Sequence, residues 1–168
     1  MRKIILFLIV LIFLTGCSGI YNLINFVLPG DVEFIACIKE LDTPEKISNY
    51  ILENFTYEVH DFYAPDPYIL WKTKKGDCND MSTFGVFVAD YHGYETWQIK
   101  IFDNSLYKHY VAVYDEDIWL SITDNQYYFF GFDNFEEIVN YVCYIRDRKW
   151  TKYIVYDYWN NEVEIGYN

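Results

Sequence analysis

The 168-residue sequence predicts an α+β fold, with helices packed on an antiparallel sheet, from three observations. Apolar residues recur at helical spacing in the first half of the chain, the period switches to alternation after Gly93, and the alternating segments are joined by short polar turns. With 52 % apolar residues the chain can bury a core, and its length fits one domain better than two. No internal repeat, low-complexity tract or second domain is visible.

The chain opens with Arg2 and Lys3 before the apolar run "IILFLIVLIFL", which is too short for a comfortable transmembrane helix. "LTGC" follows at once, so residues 1–16 read as a signal peptide. "SGIYNLINFVLPG" (18 to 30) reads as a spacer ending in a Pro-Gly turn, and with Cys17 it forms a tether over 17–30. The folded domain is then 31–168. A helix is expected over Pro44–Asn54: Thr43 can cap it, Pro44 suits its first position, and Ile47, Ile51 and Phe55 recur at four-residue steps. "YEVHDFYAPDPYILWKTKK" contains two prolines and mixed character, and reads as a long irregular connection. A second helix runs from Asn79 to Tyr91 and stops at Gly93. "TWQIKIF", "YKHYVAVY" and "DIWLSIT" then read as three strands of an antiparallel meander. "NFEEIVNYVC" is a short helix capped by Asn134, and "KYIVYDYWNNEVEIGY" is a hairpin turning at Asn160 and Asn161.

Charge excludes one class of partner. The formal net charge is −12, and loss of Arg2 and Lys3 with a signal peptide leaves it near −14. Nucleic acid needs a basic face, and no cluster of Lys and Arg supplies one. Such a domain is also repelled by anionic lipid heads, so any membrane attachment must come from a lipid. The aromatic content is 21 %, with 18 Tyr, and reads as core and cleft filling. The acids of "YDEDIW" read as a solvated hairpin turn rather than a calcium site.

Four cysteines are present. If Cys17 is taken up at the N-terminus, as the signal reading implies, an exported domain permits a Cys37–Cys143 disulfide that would leave Cys78 free. No CxxC pair exists and the three histidines do not fall at zinc-ligand intervals, so neither a metal nor a cofactor is expected.

Cys78 stands where a polar turn becomes a helix. If Asp77 caps that helix and Asp80 reaches back as in a capping box, Cys78 is the first helical residue. Unsatisfied N–H groups and the helix dipole there favour negative charge, which would lower the thiol pKa and could hold an oxyanion. Met81, Gly85 and Val88 share its face, which should rest on the sheet and bring the sulfur to the sheet's rim. Of the histidines, His92 lies about 20 Å away along the helix, and His60 lies in the irregular connection. His109 shares parity with Val111 and Val113, the inward face. Asp124 shares the parity of Leu120 and Ile122 on the next strand. Pairing through the turn near "DED" would set residues 109 and 124 opposite each other, an imidazole beside a carboxylate.

These segments resemble the transglutaminase-like superfamily, papain-related folds with a Cys, His, Asp triad in that chain order. The resemblance runs from about Thr43 to Asn125 and is carried by "GDCND" (76 to 80), "HYVAVY" (109 to 114) and "WLSITDN" (119 to 125). It implies a papain-like core with Cys78 as nucleophile, His109 as general base and acid, and Asp124 fixing the imidazole tautomer. Tyr110 and Val111 stand where the family often has a small residue and an aromatic. Asp124 also falls five residues after Trp119 instead of four, which leaves Asn125 as a rival third member. "LTGC" similarly resembles the bacterial lipobox, which implies diacylation of Cys17, a membrane anchor and an extracytoplasmic location.

The oxyanion site beyond the helix end is open to Trp71 or a Tyr of the preceding connection, with Asp77 also at the cleft. The expected activity is acyl transfer from peptide or glutamine amides through a Cys78 thioester, ending in hydrolysis or transamidation. Location points to cell-wall peptides or surface proteins as substrates. The alternatives are a catalytically silent peptide-binding module and a purely structural lipoprotein.

Overall fold

The computed structural model describes residues 30–60, 65–105, 108–117, 119–124 and 126–168. The expected signal peptide, Cys17 and the tether up to Pro29 lie outside these residues, and so does Asn125. Val32–Asn168 form one compact unit. No helix among the described residues is long and apolar enough to cross a membrane.

The α+β class is borne out. In chain order the elements are α1 (Val32–Glu40), α2 (Pro44–Asn54), β1 (Thr56–Tyr57), α3 (Pro67–Thr73), β2 (Lys75–Gly76), α4 (Cys78–Tyr91), β3 (Thr96–Asp103), β4 (Lys108–Glu116), β5 (Trp119–Thr123), β6 (Tyr127–Phe132), α5 (Phe135–Ile145), β7 (Trp150–Asp157) and β8 (Glu162–Tyr167). Local chemistry sets the helix starts. Thr43 Oγ1 accepts from Lys46 N at 3.2 Å, and Asn134 Oδ1 accepts from Glu137 N at 2.9 Å. Gly93, at φ +86, provides the left-handed residue that ends the α4 turn.

The main sheet has the order β6-β5-β4-β3-β7-β8 with antiparallel neighbours, so β3, β4 and β5 form the expected meander. Alternation then divides the sheet into two faces. Ile99, Ile101, Val111, Val113, Ile122 and Val155 close on Ile138, Val139 and Val142 of α5. The other face receives α4. Gly85 allows this close approach, since a Cβ there would lie 3.2 Å from Ala112 Cβ and 2.5 Å from Tyr114 Oη. Outside α4, aromatic contacts hold the earlier helices: Phe34 stacks on Phe87 at 6.1 Å and Phe55 meets Phe84 edge-on at 5.0 Å.

Five elements go beyond the sequence reading, the short strands β1 and β2 among them. Helix α1 buries Phe34 and Ile38, one turn apart, where no helix was expected. Within the supposed irregular connection, Asp66 Oδ1 accepts from Tyr68 N and Ile69 N, and Pro67 opens α3, so this proline starts a helix instead of breaking one. Strand β6 extends the meander.

The Cys37–Cys143 disulfide is not formed; both thiols are free. Cys37 belongs to α1, on the α4 side of the sheet, and Cys143 packs under the opposite face with α5. With a sheet between them, the cysteines cannot reach disulfide distance.

Candidate active site

Helix α4 presents Cys78 through the capping box expected of it. Asp77 Oδ1 accepts from Asn79 N at 2.8 Å and Asp80 N at 3.3 Å, and Asp80 Oδ2 accepts from Asp77 N at 2.9 Å. Gln98 of β3 fixes this end to the sheet, donating from Nε2 to Ser82 Oγ at 2.7 Å and Asn79 Oδ1 at 3.2 Å. Nothing in the sequence pattern marked Gln98, because its role depends on which strand lies beneath the helix. Asp77 is not an oxyanion donor, since its amide serves Asp80 and its carboxylate serves the helix. The Cys78 amide is the one at this turn that the box does not engage.

On the sheet, His109 and Asp124 meet by a route different from the expected one. Glu116 pairs with Trp119 and Ala112 with Thr123, so the β4–β5 register is shifted by two residues from one that would set 109 opposite 124. The turn starts one position later than expected, with Asp117 at φ +68. A shift of two preserves parity. Strand β5 ends opposite Ala112, and His109 at the overhanging end of β4 reaches Asp124 just beyond it. His109 Nε2 lies 2.7 Å from Asp124 Oδ1, and both residues are buried, at 5 % and 4 % exposure.

Arg146 completes this pair and was not foreseen. It caps the C-terminus of α5, donating from Nε to Asp124 Oδ2 at 3.0 Å and from Nη2 to Oδ1. Burial alone would push the Asp124 carboxyl up. The bonds from His109 and Arg146 outweigh this and hold it below its ordinary 3.8. Asp124 is thus an anion, and as acceptor for Nε2–H it makes Nδ1 the basic nitrogen of His109.

A cleft of about 180 Å³ brings the parts together, lined by Cys78, His109, Asp124, Tyr57, Tyr110 and Thr123 among others. The thiol in it is not lowered as expected. Burial pushes the Cys78 pKa above its ordinary 9.0 and the Asp77 carboxylate adds to this, while the Tyr110 backbone amide and the Tyr57 hydroxyl, both directed at the sulfur, oppose it without reversing it. Desolvation of a sulfur tucked against β4 outweighs the pull of the helix dipole. Trp71 does not line the cleft: it packs on Phe34 at 5.4 Å, with Lys74 Nζ 4.6 Å from its ring. The connection instead contributes Tyr57, in β1, which β2 holds beside the helix start.

No family model matches the sequence, and no curated protein does. The chain is similar to LapG of Legionella pneumophila. The calcium-bound form aligns at 15 % identity and a TM-score of 0.47, covering 68 % of this chain and 64 % of that one. A second LapG structure aligns at 16 % identity and 0.45, over 69 % and 64 %, and the EGTA-treated form at 14 % and 0.47, over 77 % and 72 %. In the first two the chain spans less than two thirds of LapG's length.

His60, the histidine of the connection, pairs through Nε2 with Asp80 Oδ2. With Asp77 it forms a group of three donor atoms within 4.8 Å of one another. Both carboxylates are engaged by backbone amides of the capping box, so the group serves to fasten the connection onto the start of α4.

Proposed function

We propose that this chain is a cysteine-dependent acyl-transfer enzyme of transglutaminase-like type, acting on peptide or glutamine amides through a thioester on Cys78. The observation that carries this reading is the buried His109–Asp124 bond of 2.7 Å in the same cleft as the Cys78 sulfur. An imidazole oriented by a carboxylate, in one cleft with a thiol at a helix N-terminus, is the arrangement that nucleophilic acyl transfer requires.

Because burial keeps the resting thiol protonated, His109 acts as a general base during attack. Nδ1 takes the Sγ proton as sulfur bonds to the carbonyl carbon. The Cys78 amide and the Tyr57 hydroxyl receive the developing oxyanion. As the tetrahedral adduct collapses, the C–N bond breaks and His109 returns the proton to the leaving amine. Water or a primary amine then attacks the thioester, giving its proton to His109, and the C–S bond breaks with the proton passing back to sulfur. Asp124 stabilises the imidazolium at both stages, and Arg146 holds Asp124.

The calcium named for LapG is not carried to this chain. Of the three grouped donors, one is a nitrogen and two are carboxylates already used in capping, a poor match to a cation that favours oxygen ligands. The N-terminal motif supports a lipid anchor on Cys17 and an extracytoplasmic location, with peptide or protein substrates at the cell surface, cell-wall peptides among them.

The test is to incubate the full chain with a glutamine-containing peptide and a labelled primary amine, then follow ammonia release, peptide cleavage, amine incorporation and a Cys78 adduct by mass spectrometry. Product formation that Cys78→Ala and His109→Ala abolish is the expected result. Peptide binding with no product and no adduct overturns the proposal in favour of a silent binding module.

A further inference from the structure

The sheet face that carries α4 continues past the helix's N-terminus, and its composition there differs from the rest of the molecule. Register places Lys108, Phe102, Lys152 and Tyr167 side by side across β4, β3, β7 and β8. The adjacent row is Tyr110, Lys100, Ile154 and Ile165. These two rows contain three lysines and no acid, in a protein of net charge −12. Cations and rings alternate. Lys100 Nζ lies 5.2 Å from the Phe102 ring and 5.3 Å from that of Tyr110, while Lys152 Nζ lies 5.9 Å from Phe102 and 5.5 Å from Tyr167. No ion pair among the described residues joins any of the three to a carboxylate. Lys108 is exposed, Tyr167 is 72 % exposed and Ile165 is 43 % exposed.

Tyr110 links this surface to chemistry, because it also lines the cleft and its amide is directed at the Cys78 sulfur. We propose that the lysine–aromatic platform of Lys100, Lys108, Lys152, Phe102, Tyr110 and Tyr167 is a substrate subsite that docks an extended polypeptide segment carrying carboxylate side chains among apolar ones, next to the amide that Cys78 attacks. The inference rests on Cys78 being the nucleophile.

Charge complementarity selects this occupant. Lys108 and Lys152 are two strand spacings apart, about 10 Å, which three residues of extended chain span. Spaced carboxylates can therefore meet the ammonium groups while the side chains between them lie on the rings. A polyphosphate or an anionic lipid surface presents a denser charge, which three lysines match poorly and the net negative domain repels. Lys100 and Lys152 already hold their ammonium groups over aromatic rings, which lowers the entropy lost on docking.

The experiment uses the full chain and two peptide chloromethyl ketones of equal length, one with glutamates and one with lysines flanking a central phenylalanine. Iodoacetamide serves as a control that reads thiol reactivity alone. The second-order rate of Cys78 labelling is followed by intact mass. Exposed charge pairs are each worth a few-fold, so the acidic reagent should label roughly tenfold faster than the basic one at low salt, with the ratio shrinking at high salt. Lys100→Glu with Lys152→Glu should reverse the order, and the milder Lys100→Met with Lys152→Met should bring the ratio to about one; in both variants iodoacetamide rates stay unchanged. Equal labelling by both peptides in the wild type, or a ratio indifferent to the substitutions, overturns the platform. Binding of phosphatidylglycerol vesicles lost in the same variants, with no discrimination between peptides, overturns it in favour of a membrane. Failure of every reagent to label Cys78 instead removes the nucleophile on which the proposal stands.

Discussion

Cys78 should behave at rest as a protonated thiol, and the pH dependence of its alkylation measures this. Burial pushes the thiol above its ordinary 9.0, the Asp77 carboxylate adds to the shift, and the Tyr110 amide and Tyr57 hydroxyl only moderate it. A thiol with that ordinary value is about one part in a hundred ionised at pH 7 and about one in a thousand at pH 6. Cys78 should be ionised less than either. Labelling with iodoacetamide, mapped by peptide mass so that Cys37 and Cys143 are scored apart, should rise about tenfold per pH unit from 6 to 8 and reach no plateau below 9. An imidazolium-paired thiolate behaves differently. With a pKa of about 5 it would be almost fully ionised at pH 6, and a Brønsted slope of about 0.45 would lower its nucleophilicity by roughly 60-fold, leaving it roughly 15 times more reactive than free cysteine. His109→Ala should therefore change the iodoacetamide profile little while abolishing peptide turnover, since the imidazole acts on the proton only as attack proceeds. A plateau between pH 6 and 7, or labelling there more than about tenfold above free cysteine, would refute the neutral-pair argument.

Other substitutions test the supports of the site. Asp124→Ala strands His109 and Arg146, and should destabilise the fold by about 3 kcal/mol in urea unfolding, toward the low end for a broken buried pair because Arg146 can turn to solvent; Asp124→Asn should cost less than half as much, and equal losses would exclude a charge-based role. The Asp124 carboxyl titrates below its ordinary 3.8, so its pairing stabilises the fold above that value and the gain is lost as pH falls through the folded value. Arg146→Met should accordingly move the midpoint of acid unfolding, followed by circular dichroism, to higher pH, and an unmoved midpoint would contradict the assignment. Gly85→Ala brings a methyl against Tyr114 Oη and Ala112 Cβ, and should cost about 1–3 kcal/mol of stability through overpacking while slowing peptide labelling of Cys78; wild-type stability would show that α4 does not sit as close as described.

How much of this was legible follows from the range over which each signal acts. Helix α4, its cap at Asp77 and the position of Cys78 are written within five residues, and local hydrogen bonding decides them. The union of His109 with Asp124 survived an error in register because side-chain parity in a strand has period two. A slip of two residues moved the partners along the sheet without turning them to the other face. Arg146 had no such protection. Its basic side chain at a helix end reads as an ordinary complement to the dipole, and only the packing of α5 beneath the sheet aims it at Asp124. The thiol pKa failed for the same reason: the helix dipole is a local property, whereas desolvation by β4 is tertiary. Lys100, Lys108 and Lys152 show this limit most plainly. Each lies in a strand legible from its alternation, yet the acid-free surface they share exists only once β7 has crossed to the far side of β3, a pairing of residues about fifty positions apart that no local period encodes.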